Sequence, residues 1–143
     1  MKKILLPLAV LALVATAPAE AATAGPTNFN VKVTLTPSCS ITQAPTDVVF
    51  SYTSFQPANS TATGGAFKVK CTNGVGYSVG LDATSGTLIG LNYSLTAPTG
   101  LQTGTGADQD LTIGGTMALG QSGTCAGPAA CTATDVRTVT ITY

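Results

Sequence analysis

The residues of this 143-residue chain whose type best suits them to bond formation are four cysteines, Cys39, Cys71, Cys125 and Cys131. A thiolate metal site would need histidine nearby or a C-x-x-C spacing, and the chain has neither. In an exported chain such cysteines form disulfides by default. Cys125 and Cys131 bracket the turn-rich run Ala126-Gly127-Pro128-Ala129-Ala130, which brings them together and leaves Cys39 for Cys71. The two other pairings stay open on the sequence alone.

The carboxylates offer less. Without histidine there is no imidazole base and no Ser-His-Asp arrangement. Asp82 follows one strand pattern and Asp135 precedes another, but nothing sets them side by side as the carboxyl pair that glycoside hydrolysis needs. Asp135 reads as a turn residue. Asp108-Gln109-Asp110 lacks the fuller acidic loop of a calcium site and reads as solvated loop. No catalytic residue, cofactor or metal is expected, and the chain reads as a non-enzyme.

Export is written at the start. Met1-Lys2-Lys3 is basic, Ile4 to Ala17 is uncharged and apolar, and Ala19-Glu20-Ala21 places small residues where a signal peptidase reads. Cleavage after Ala21, or alternatively after Ala24, makes residues 1–21 a signal peptide and leaves 122 of 143 residues, one sandwich-sized domain. The apolar run is too short to span a bilayer, and no later stretch could insert. After cleavage Lys32, Lys68, Lys70 and Arg137 stand against Asp47, Asp82, Asp108, Asp110 and Asp135, a net charge of about −1. No basic patch could hold a phosphate backbone, which excludes nucleic acid as a partner. Scarce charge with a mean hydropathy of +0.35 describes a surface that associates.

The elements that must position these residues are strands. Asn28 to Thr36 alternates strictly, with Phe29, Val31, Val33 and Leu35 on one face and Asn28, Asn30, Lys32, Thr34 and Thr36 on the other. A lone strand cannot satisfy its backbone, so it must pair within its own chain or with a neighbour. Ser40-Ile41-Thr42, Val48 to Tyr52, Ala66 to Cys71, Tyr77 to Leu81, Leu91 to Leu95, Leu111 to Ile113, Thr116 to Leu119 and Val136 to Tyr143 read as further strands. Thr72-Asn73-Gly74 marks a tight turn of the Asn-Gly kind, Asp82 to Gly86 another turn, Pro98 to Asp110 a loop, and Gly114-Gly115 a break. No window after the signal peptide has helical periodicity. The pattern predicts one all-β sandwich domain. Val139, Ile141 and Tyr143 face one way on the last strand, and nothing follows Tyr143 to cover that strand's far edge.

These residues, in this order, resemble the Csu-type archaic chaperone–usher pilins, the spore coat protein U-like family. The resemblance rests on Cys39 after an alternating strand, Val48-Val49-Phe50-Ser51-Tyr52, Phe67-Lys68-Val69-Lys70-Cys71-Thr72-Asn73-Gly74 and Tyr77-Ser78-Val79-Gly80-Leu81-Asp82. Leu91-Asn92-Tyr93-Ser94-Leu95, Gly120-Gln121 and the closing Asp135 to Thr138-Val139-Thr140-Ile141-Thr142-Tyr143 complete it. Ser51 stands where the family has glycine, and the Cys125–Cys131 loop is an addition that many members lack. The resemblance implies an incomplete immunoglobulin-like β-sandwich lacking its last strand, completed by a donor strand from a neighbouring subunit or a chaperone. It divides the chain into a signal peptide (1–21), a donor-strand extension (22–36) and a pilin domain (37–143). It makes Phe29, Val31, Val33 and Leu35 the donor residues, and Val139, Ile141 and Tyr143 the acceptor groove and chaperone contact. The implied partners are like subunits in a head-to-tail filament, a periplasmic chaperone and an outer-membrane usher. The implied destination is the periplasm and then a surface pilus supporting attachment and biofilm formation. A monomeric secreted adhesin or carbohydrate-binding sandwich is the rival expectation; it would need an exposed aromatic platform, and the chain has no tryptophan.

Overall fold

Strand formation follows the alternation of side chains wherever a partner strand is available. The computed structural model describes residue 20 and residues 23–143, so the expected signal peptide lies outside the described residues except for Glu20. The chain falls into a leading unit ending at Thr34 and a body from Leu35 to Tyr143. No helix occurs among the described residues, and none therefore is long and apolar enough to cross a membrane.

In the body, β1 (Cys39–Gln43), β2 (Val48–Val49), β3 (Ser60–Thr61), β4 (Thr63–Gly64), β5 (Ala66–Cys71) and β6 (Gly76–Leu81) are followed by β7 (Ser85–Leu88), β8 (Leu91–Thr96), β9 (Gln102–Thr103), β10 (Asp108–Thr112), β11 (Gly114–Met117) and β12 (Val139–Thr142). All pairings are antiparallel and form sheets ordered β1-β5-β10, β3-β11-β8-β7, β12-β6-β9 and β2-β4. The arrangement is all-β and consistent with a β-sandwich. Its core gathers Phe67, Val69 and Cys71 from β5, Tyr77 from β6, Leu91, Tyr93 and Leu95 from β8, and Ile113 and Met117. On β5 and β8 every second residue is buried, as period-two patterning requires.

Both disulfides form as the spacing suggested. Cys39 and Cys71 are register partners across β1 and β5, with Cα atoms 4.1 Å apart. Cys125 is bonded to Cys131.

The structure corrects several sequence expectations. Asn28 to Thr36 is not a strand. Phe29, Val31, Val33 and Leu35 are 85, 79, 83 and 74% exposed, because no partner supplies a ladder to that segment. Val48 to Tyr52 keeps strand pairing only at Val48–Val49. Beyond it the Tyr52 hydroxyl turns away to donate to the Ala118 carbonyl at 2.8 Å. The expected loop from Pro98 to Asp110 contains β9 and most of β10. The two aspartates of β10 lie opposite Lys70 and Lys68 of β5; Asp110 pairs with Lys68 at 3.2 Å and Asp108 accepts from the Thr42 hydroxyl at 3.1 Å, which offsets their poor strand propensity. Gly114 and Gly115 do not break a strand but belong to β11; a Cβ on Gly115 would lie 2.6 Å from the Phe50 ring, which explains the glycine. The crossing between sheets falls instead at Ile113. The expected turn from Asp82 to Gly86 gives way to β7 at Ser85, and the last strand is shorter than expected.

Two turns set how the strands connect. Thr72 to Val75 closes with the Val75 N–H donating to the Thr72 carbonyl at 3.1 Å, and only Gly74 takes positive φ, the φ pattern of a type II turn. It joins β5 to β6, which lie in different sheets, so the Asn-Gly signal marks a passage between sheets and not a hairpin. The true two-residue hairpin is Ile89-Gly90, with φ of 45° and 73° matching a type I′ turn. A β-branched residue pays to stand there.

Candidate functional site

The inward residues of β8 and β11 do not meet a complete second layer. Leu91, Tyr93, Leu95, Ile113 and Met117 instead floor a cleft of about 680 Å³. Val48 and Phe50 stand on one side of it. The irregular segment from Cys131 to Thr138 and the first residue of β12, Val139, stand on the other. Interiors pack to crystal-like density, so an apolar opening of this size is a place for something else to sit.

Beside the cleft, β12 pairs along one edge with β6, in the register Val139↔Leu81 to Thr142↔Ser78. Its other edge has no ladder partner among the described residues. An unpaired edge of this kind can take an added strand. β1 also ends its sheet, pairing with β5 alone.

One corner of the cleft is polar. The Tyr93 hydroxyl donates to an Asp135 carboxylate oxygen and accepts from the Arg137 guanidinium at 2.8 and 3.0 Å. Arg137 also pairs with Asp135, donates to the Ser85 carbonyl at 3.3 Å and lies 4.0 Å from Asp82. Burial pushes the Tyr93 phenol up, the Asp135 hydrogen bond adds to this, and Arg137 opposes it. The Arg137 guanidinium is held further into its charged form, first by the Tyr93 hydroxyl. Asp82 accepts from the Thr138 N–H at 2.9 Å, and this bond leads the causes that lower its carboxyl below the usual range.

That last contact fixes the entry to β12 and gives a pH prediction. A carboxyl whose folded pKa is depressed stabilises the fold above its unfolded value, and the contribution is lost as pH falls through the lower folded value. Protection of the Thr138 amide against hydrogen exchange, corrected for intrinsic rates, should hold at neutral pH. It should decline only below about pH 3.9, the ordinary aspartate value. An Asp82→Asn chain should show a weaker acid dependence at that amide. Equal acid sensitivity in both chains would remove Asp82 from the account.

The expected site residues divide in the structure. Val139 lines the cleft, Ile141 packs against the core on the same face of β12, and Tyr143 is 60% exposed. Asp135, expected as a plain turn residue, instead belongs to the Tyr93–Arg137 cluster. The only hints in the sequence were an Asp-x-Arg spacing ahead of a strand and a tyrosine at the centre of β8. The opposite wall (Val48, Phe50) and the hairpin residues Leu88 and Ile89, which also line the cleft, were not expected there. Asp108 and Asp110 are taken up elsewhere, by Thr42 and Lys68 respectively, and the described residues hold no cluster of three metal-ligating side chains.

Comparison with protein families matches residues 26–104 to the Spore Coat Protein U domain. The chain belongs to the Spore Coat Protein U family. Members of that family are subunits of chaperone–usher pili, structural and surface-exposed, and it is not a family of enzymes. Neither the curated proteins nor the solved structures include a match to the chain. The matched region of this Spore Coat Protein U chain takes in Val48, Phe50 and the β8 floor of the cleft, while the wall from Cys131 to Val139 lies beyond it.

Proposed function

We propose that this chain is an exported structural subunit of a surface pilus. Its body is an incomplete immunoglobulin-like sandwich. The cleft beside β12 accepts residues 28–36 of the next subunit, and before assembly a periplasmic chaperone lends a strand to the same place. An outer-membrane usher then directs growth, and the filament serves attachment and biofilm formation. Val139 and Ile141 contribute to the acceptor face, and Tyr143 to the chaperone contact.

One observation carries this reading. An apolar cleft at an unpaired strand edge occurs in the same chain as a segment that exposes Phe29, Val31, Val33 and Leu35 in strict alternation. Period-two alternation puts all four on one face of a strand, and that face is what an apolar groove beside a free edge takes up. Because donor and acceptor are different surfaces of one molecule, their union is head-to-tail, and it grows as an open filament wherever the rotation between subunits does not close a ring. The purified mature chain should therefore grow into polymers with time and concentration, followed by light scattering. A thermally robust monomer at all concentrations would refute the reading.

A further inference from the structure

Between β11 and β12 the chain has no strand, yet its later part forms one wall of the cleft through Cys131, Thr132, Asp135 and Arg137. Irregular backbone of this kind is ordinarily the softest part of a fold. Here it is pinned three times. The Thr124 N–H donates to the Ile89 carbonyl at 2.7 Å. The Cys125–Cys131 disulfide closes the segment on itself. The Arg137 guanidinium then reaches Tyr93, Ser85 and Asp135.

The first and last pins both land on the β7–β8 hairpin, at Ile89 and at Ser85 and Tyr93. The segment from Thr124 to Arg137 is thus a strap across that hairpin, shortened by a covalent staple. Ile89 itself holds a φ of 45°, which a β-branched residue adopts at a cost, while its side chain lines the same cleft. Local strain, a staple and a partly exposed ion pair are all gathered at one wall.

We propose that the strap Thr124–Arg137 is a preorganised wall that sets how long an inserted strand stays in the cleft. The proposal rests on the strand-acceptor reading above. A wall already fixed before binding does not have to be ordered when the strand arrives, and differences of this kind among related complexes fall mainly on the dissociation rate. The Cys125–Cys131 staple and the Arg137 latch are its two positioning elements, acting through the backbone they hold.

The test uses the full mature chain and a fluorescently labelled synthetic peptide of residues 27–36. Wild type is compared with the C125S/C131S double variant and with Arg137→Gln. Each variant should release the peptide about ten-fold faster, with the association rate changed much less. Release at the wild-type rate from both variants would overturn the wall. Failure of a wild-type chain that stays monomeric to bind the peptide would instead sink the strand-acceptor reading, and the wall with it. A measurement on wild type alone guards against variants that do not fold: the Thr124 amide, bonded to the Ile89 carbonyl, should already be protected against hydrogen exchange in the free chain and stay so when peptide binds. Protection of that amide that appears only with peptide would mean that the strand orders the wall, and would also overturn the proposal.

Discussion

A mature chain lacking residues 22–36 should form no polymer, and its body should be only marginally folded until a peptide of that sequence is supplied. The magnitude follows from the four side chains removed. Burying Phe29, Val31, Val33 and Leu35 is worth roughly 1.5–3 kcal/mol each, about 6–12 kcal/mol together as an upper estimate. A domain of this size typically has a net stability of only about 5–15 kcal/mol. A body with an empty cleft therefore forgoes a contribution comparable with its whole margin. Added peptide should stabilise the body by mass action, by about 2.7 kcal/mol at one hundred times its dissociation constant, and raise the unfolding midpoint accordingly. It should not restore polymerisation, because each body would then be capped by a strand attached to nothing. Light scattering and denaturant unfolding follow the two effects separately. A truncated chain that still polymerises, or a stable monomer indifferent to the peptide, would show that residues 28–36 are not the donor.

How much of this was legible beforehand depends on which residues carried the information locally. β5, β6 and β8 announce themselves because Phe67, Val69, Cys71, Tyr77, Leu91, Tyr93 and Leu95 alternate with polar neighbours and are buried by that alternation. β10 does not, since Asp108 and Asp110 look like loop residues until Lys70 and Lys68 stand opposite them across β5. Gly114 and Gly115 look like a break for a similar reason: the feature that requires glycine at Gly115 is Phe50, more than sixty residues earlier in the chain. The Asn73-Gly74 turn was legible as a turn, but whether it joins partners within one sheet or passes between two sheets is decided by strand order, which no local pattern encodes.

The candidate site divides along the same line. Its proposed donor half is local, nine residues in a row with one apolar face. Its proposed acceptor half is the cleft assembled from Val48 and Phe50, the floor on β8 and β11, and the strap before β12. The Asp135–Tyr93 contact spans 42 positions of sequence and the Arg137–Tyr93 contact 44. Only the final strand, with its unpaired edge, could be anticipated, and the wall beside it could not.

The two disulfides give the sharpest contrast in expected stability. Replacing Cys39 and Cys71 with alanine should cost about 3–4 kcal/mol, against about 2–3 kcal/mol for Cys125 and Cys131, from the loop lengths that each closes. The difference in location matters more than the difference in size. Cys39–Cys71 ties β1, which ends its sheet, to β5, whose Phe67, Val69 and Cys71 lie in the core. Its loss should lower the denaturation midpoint and loosen β1 at once, because β5 is the one ladder partner of β1 among the described residues. Cys125–Cys131 is closed outside every strand, in the strap alone. Urea unfolding of the two double variants, followed by the near-ultraviolet signal of the buried tyrosines Tyr77 and Tyr93, separates them. The Cys39/Cys71 variant should unfold well before wild type, and the Cys125/Cys131 variant should stay closer to it. Equal losses would mean that the strap is part of the cooperative core, and that its role at the cleft cannot be separated from folding.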